Sequence, residues 1–236
     1  MTTPKREYGP LNHQSRKIGR SVNGIPLRVY EPLDKSQGML VMGSIHGDEG
    51  LTTVLLSECL RSIEPHELQA RLILAANPDG VLEGTRCNTR GVDLNRNFPS
   101  KNWKSDPVYY RNRPDEPQNI ALSPGSHGGS EPETMAIIEL IATIKPQLIV
   151  SLHGFLNCID DPHASAISVD IAKRTHMELV PDVGYATPGS FGSWCAEQEI
   201  PIITYEFPSL SIEKLKAIHH PVLRDLMTGL YNSLLA

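Results

Sequence analysis

At 236 residues the chain has length for one substantial hydrophobic core, so a single domain over residues 1–236 is expected. Its 39% hydrophobic and 21% charged residues describe a globular chain, and no apolar run approaches the roughly 18 residues that span a bilayer, which argues against a membrane protein. A net charge of −5 without a Lys/Arg block leaves no basic footprint for nucleic acid, and the scattered Cys59, Cys87, Cys158 and Cys195 make neither a C-x-x-C metal site nor a disulfide framework.

The basic start, residues 1–8, has no apolar stretch behind it, so no secretory signal and a cytoplasmic location are expected. Residues 16–21 and 25–30 flank Asn23-Gly24, whose positive φ preference suits a tight hairpin. A strand from Met39 to Ser44 follows, then a helix over about 50–62 and a strand over 71–76 that Pro78 and Gly80 close. Residues 81–130, rich in Asn, Pro, Gly and Arg, read as one long loop of the kind that carries function. Ser130 caps a helix that has Pro132 in its first turn and a buried stripe of Met135, Ile138, Ile141 and Ala142, and Pro146 stops it. Then come a strand over 148–152, a weak helix over 164–174, a short helix over 189–198, a strand over 201–207 and a helix over 212–235 interrupted at Pro221. This alternation predicts an α/β fold, a mixed, mostly parallel sheet flanked by helices.

His46 and Glu49 stand three residues apart just after the apolar run of the Met39 strand, and His153 ends the run from Leu148 to Leu152. Two imidazoles and a carboxylate are a donor set that suits zinc, which keeps one position for water in catalytic sites. Alone, H-x-x-E is weak evidence, because such pairs occur by chance on solvated faces. A second strand-like run ending in His strengthens it, since open α/β sheets gather ligands at the carboxyl ends of their strands. Taken singly, Glu206 reads as a surface or paired carboxylate, and Arg86, Arg90 and Arg96 read as a solvated loop face. Arg111 and Arg113 read more readily as loop residues than as contacts to a second substrate carboxylate. The remaining histidines, His13, His66, His127, His163, His176, His219 and His220, lack a partner at ligand spacing.

The H-x-x-E pair, the segment from Arg86 through Asp93-Leu94-Asn95-Arg96-Asn97, the strand-end His153 and the late Glu206 together resemble the zinc carboxypeptidases of the carboxypeptidase A type, in that family's order. The resemblance implies one Zn2+ held by His46, Glu49 and His153, with Asp93 orienting the His46 ring from behind. It implies Glu206 as the general base that takes a proton from the attacking water, and Arg86 as the cation that meets the developing oxyanion. Asn95 and Arg96 would grip a terminal carboxylate and Tyr185 would close over the substrate. Near Ser193 the basic-specific members carry a selectivity Asp, so a small neutral residue there leaves the side-chain preference open.

Segments beginning at His46, Asn77, Gly91, Gly129 and Pro188 resemble the bacterial branch of the family that works on cell-wall peptides. That resemblance implies hydrolysis of the γ-D-glutamyl to meso-diaminopimelate amide in L-Ala-γ-D-Glu-meso-Dap, recovered into the cytoplasm, by a monomer or homodimer with a small peptide as its partner. Two competing readings are a zinc deacylase of the aspartoacylase or succinylglutamate desuccinylase type, and a non-catalytic muropeptide binder. Retention of Glu206 argues against the binder, which needs no base.

Overall fold

Apolar residues occupy both faces of the central strands, and the sheet they form is covered on both sides, as parallel strands require. The computed structural model of the chain describes residues 10–34, 38–111 and 119–235. The basic start read for a targeting signal, Arg113 and the side chain of Arg111 lie outside what is described.

The strands are β1 (Ser15–Arg20), β2 (Pro26–Tyr30), β3 (Met39–Gly43), β4 (Arg71–Ile73), β5 (Val108–Arg111), β6 (Asn119–Leu122), β7 (Leu148–Gly154), β8 (Cys158–Asp160), β9 (Glu178–Val180) and β10 (Ile202–Phe207). The helices are α1 (Leu51–Arg61), α2 (Pro78–Glu83), α3 (Pro132–Ile144), α4 (Ala166–Thr175), α5 (Phe191–Glu197) and α6 (Ile212–Thr228). Eight strands make one sheet in the order β1-β2-β4-β3-β7-β10-β8-β9, while β5 and β6 form a separate hairpin. The middle strands β4, β3, β7 and β10 run parallel, β2 pairs antiparallel with β1 and β4, and β8 pairs antiparallel with β10 but parallel with β9.

Alternation along the strands divides the core in two. Val41, Val150, Leu152, Ile203, Tyr205 and Phe207 pack with residues of α1, α4 and α6. Leu40, Met42 and Ile149 pack on the other face with Ile137, Leu140 and Ile141 of α3 and with Phe191, Trp194 and Cys195 of α5. His153 and Glu206 alternate with Leu152, Tyr205 and Phe207, so their side chains fall on the α3/α5 face.

Several elements depart from the sequence expectations. Asn77-Pro78-Asp79-Gly80 does not merely stop a strand. Asn77 caps α2, its Oδ1 accepting from Gly80 N at 3.0 Å, with Pro78 in the first turn and Gly84 (φ 68°) at the end. Strand β4 therefore ends at Ile73 instead of residue 76. At α3 the cap position is Glu131, because the Ser130 hydroxyl is taken by Glu131 and by the Asn97 amide. Helix α6 runs through Pro221 but stops at Gly229 (φ 82°), and only one 3-10 turn, Asn232–Leu234, follows. The stretch read as a long loop holds the end of α2 and the strands β5 and β6, and β8 and β9 are strands that three-residue lengths hide from any periodicity.

One core histidine has a consequence for stability. His219 is fully buried against Tyr205 and Phe207, with Nδ1 2.7 Å from the Tyr205 hydroxyl and Nε2 without a hydrogen-bond partner among the described residues. Burial, with His220 adding to it, lowers its pKa from 6.5 to about 4. Because the folded value is depressed, this contribution is fully present above the unfolded value and is lost as pH falls towards 4, where the unfolded chain takes a proton that the folded ring refuses. Between about pH 7.5 and about pH 5 the parent should therefore lose roughly 2 kcal/mol more stability than His219→Gln. Urea unfolding at the two pH values checks this; parallel losses in parent and variant would remove the assignment.

Candidate metal and active site

Three strand ends build the site. After β3 the chain turns at Ser44, a non-glycine residue at φ 50° whose hydroxyl lies within hydrogen-bond reach of Thr52 and Thr53, and a 3-10 turn over Gly47–Glu49 then points His46 and Glu49 the same way. Gly47 is obligatory here: a Cβ at this position would overlap the backbone of Gly80 and the Thr85 carbonyl. Gly47 N also donates to Arg86 O at 3.1 Å, so the two glycine-containing motifs pack together and set Arg86 beside His46.

His153 lies on β7 and Glu206 pairs with it in register on β10. The cluster is tight. His46 Nδ1 lies 2.9 Å from Glu49 Oε1 and 3.3 Å from His153 Nδ1, and His153 Nδ1 lies 3.2 Å from Glu49 Oε2. His46, Glu49 and His153 are each about 95% buried, and one ligand atom from each falls within 4.8 Å of the others. Two ligands about 2.0–2.1 Å from a tetrahedral ion sit roughly 3.3 Å apart, so these spacings fit zinc. Glu49 Oε2 is buried and faces His153 Nδ1 at 3.2 Å, so both carboxylate oxygens are turned to the two imidazoles.

The electrostatics agree with a cation site. Burial and Arg86 pull the His46 ring down, but Glu49 and Asp93 outweigh them and hold it up at about 9. Burial would raise Glu49, yet His46 and His153 bring it down to about 2. Asp93 is likewise held well below the usual carboxylate range by Arg86 and His46, against the pull of burial.

Behind the cluster, Asp93 Oδ1 lies 3.4 Å from His46 Nε2 and Oδ2 accepts from Arg86 Nε at 3.1 Å. His153 Nε2 lies 3.0 Å from Ser151 Oγ. Ser151 did not stand out in the sequence; the signal that could have found it is the two-residue step S-L-H, which puts it on the face of His153. Glu206 is 7% exposed, its Oε2 has no partner among the described residues, and burial raises its carboxyl with the nearby His153 opposing.

A cavity of about 1780 Å³ opens over the cluster and is lined by every residue singled out from the sequence: His46, Glu49, Arg86, Asp93, Asn95, Arg96, His153, Tyr185, Ser193 and Glu206. Asn95 follows Asp93, whose Oδ1 accepts from Asn95 N at 2.9 Å, and its own Oδ1 accepts from Phe191 N at the start of α5. Arg96 is 7% exposed, its Nε lacks a partner among the described residues, and burial lowers its guanidinium pKa with Asp93 opposing. Tyr185 stands at the rim, 58% exposed, with Arg96 among the charges acting on its phenol.

A buried His/Glu/His cluster at the carboxyl edge of a mostly parallel sheet, with the buried Glu206 carboxyl in the same cavity, defines the class: a metal-dependent peptide hydrolase. The comparisons agree, and the chain belongs to the zinc carboxypeptidase family (peptidase M14), whose profile matches residues 10–207. It is 42% identical over 216 residues to murein peptide amidase A of Escherichia coli (strain K12), covering 91% of this chain and 89% of that protein. Identity to murein peptide amidase A of Vibrio campbellii is 40% over 214 residues, covering 89% and 86% of the two chains. The crystal structure of murein-tripeptide amidase MpaA from Escherichia coli O157 superposes with a TM-score of 0.89 at 39% identity, over 96% of this chain and 97% of that one.

Proposed function

We propose that this chain, acting as one catalytic domain, hydrolyses the γ-D-glutamyl to meso-diaminopimelate amide of L-Ala-γ-D-Glu-meso-Dap with one zinc ion, as part of cytoplasmic cell-wall peptide recycling. The observation that carries the reading is the convergence of His46, Glu49, His153 and Glu206 in one cavity with Asn95 and Arg96. The names of the relatives supply the substrate class. The described helices include none long and apolar enough to cross a membrane, which is compatible with the proposed location.

His46, Glu49 and His153 would hold the metal, with Asp93 and Ser151 fixing the two rings from behind. Zinc in that position supplies Lewis-acid polarisation of the scissile carbonyl and of the attacking water. The Glu206 carboxylate accepts a proton from that water and returns it to the departing diaminopimelate amine. Arg86, tied to Asp93 and lining the cavity, places fixed positive charge where the carbonyl oxygen becomes negative. The Asn95 Oδ1 bond to Phe191 N leaves the amide Nδ2 for the carboxylate next to the scissile bond, and Arg96 contributes the charge. Tyr185 at the rim covers the bound peptide.

The test is direct. Zinc-loaded protein incubated with L-Ala-γ-D-Glu-meso-Dap should release free diaminopimelate, and a chelator should stop the release. Absence of release, together with turnover of an N-acyl amino acid, would replace this reading with the deacylase.

A further inference from the structure

Ser193 holds no charge for a substrate side chain, and its hydroxyl is already engaged. Ser193 Oγ receives hydrogen bonds from Asn102 Nδ2 at 3.1 Å and Ser190 Oγ at 3.0 Å, and sits 3.3 Å from Thr187 O. The charge in this part of the cavity comes from the other wall. On β8, Cys158 and Asp160 pair across to Glu206 and Thr204 of β10, so Asp160 shares the Glu206 face of the sheet two pairs further down. Both Asp160 and Thr204 line the cavity, as does Asp182, which follows β9.

The cavity is therefore dipolar. Its cationic part holds Arg96, nine-tenths buried, with Nε unpartnered among the described residues. Its acidic part holds Asp160, half-buried and without a hydrogen bond or ion pair among the described residues, together with Asp182. Glu206, whose buried Oε2 has no partner among the described residues, lines the same cavity. The largest charges acting on Asp160 are Asp182, Glu206 and Asp161, with His153 opposing. A complementary ligand carries an anion for Arg96 and a cation for Asp160.

We propose that Asp160, supported by Asp182, is the specificity-determining group that reads the distal ammonium of the diaminopimelate side chain. The proposal rests on the substrate reading given above. Two residue pairs along β10 and β8, from Glu206/Cys158 to Thr204/Asp160, are a step of about 7 Å, and the four carbon–carbon bonds joining the two amino-acid centres of diaminopimelate extend roughly 5 Å. A side chain entering from the Glu206 level thus delivers its ammonium to the Asp160 level. The Asp160 carboxyl is itself short of a cation: burial, then Asp182 and Glu206, raise it to about 6. An ammonium would relieve that strain through a charge-assisted hydrogen bond.

The experiment compares kcat/KM for L-Ala-γ-D-Glu-meso-Dap with that for the same peptide ending in 2-aminopimelate, which lacks only the distal amino group, in the zinc-loaded parent and in Asp160→Asn. The parent should prefer the diaminopimelate peptide roughly ten- to hundredfold, and Asp160→Asn should collapse that ratio towards one. A parent that cleaves both peptides equally, or a variant that loses activity on both in the same proportion, overturns the role of Asp160 while the amidase reading stands. A parent that cleaves neither removes the amidase reading and this inference with it. Because the readout is a ratio within one preparation, partial misfolding of the variant cancels.

Discussion

Glu206→Gln should lower kcat for diaminopimelate release by roughly 10²- to 10⁴-fold while zinc content and thermal unfolding stay at parent values. The substitution keeps the shape of a side chain that is 7% exposed and removes only its capacity to accept a proton. No hydrogen bond of Oε2 to a described residue is lost, because it makes none. Burial already disfavours the ionised form, so neutralising the group does not destabilise the fold as removing a paired carboxylate would. KM should move little, since Asn95, Arg96 and Asp160, assigned to binding, are untouched. Steady-state kinetics with a parallel zinc assay separate the cases. Turnover within a factor of two of the parent would remove the base role, whereas loss of zinc would mean that Glu206 shapes the metal cluster instead.

The sequence revealed those parts of the site whose spacing is short or whose elements end abruptly. His46 and Glu49 are legible because one turn fixes their relation, and His153 because it ends an apolar run that becomes a central parallel strand, whereas Glu206, singly a surface or paired carboxylate, was legible only through the family resemblance. The hairpin over β1 and β2, helix α1 and the strands β3, β7 and β10 follow from the same periodicities. What stayed hidden depends on tertiary pairing. Strands β8 and β9 have three residues each, too few for a pattern, so nothing in the sequence singled out Asp160, which pairs with Thr204 and lines the cavity. Pro78 and Gly80 looked like breakers because both residues also start helices and permit close approach, and only the contact with Gly47 shows which use applies. Asn95 was expected to offer its amide to substrate, but its bond to Phe191 N, 96 positions along the chain, is what orients that amide.

Zinc should raise the melting temperature of the metal-free protein by roughly 5–10 °C, bind at one ion per chain, and do neither in His153→Ala. An ion at about a hundredfold excess over its dissociation constant stabilises the folded state by about 2.7 kcal/mol, and for chains of 150–250 residues each kcal/mol moves the midpoint by about 2–4 °C. The effect is large because the metal-free cluster is electrostatically unsettled. Glu49 and Asp93 hold the pKa of the His46 ring up at about 9, against burial and Arg86. Zinc displaces the proton of that ring, so its affinity should weaken as the pH is lowered, the ring having to give up charge before it can coordinate. Removing the His153 ring takes away one of three ligand atoms and leaves the Ser151 hydroxyl without its ring partner, but His46, Glu49 and the sheet around them remain. Calorimetric melting with and without zinc, read beside the metal-to-protein ratio, decides the matter. An equal zinc-induced rise in parent and His153→Ala would show that the stabilising ion sits elsewhere, and the three-residue cluster would lose its assignment as the metal centre.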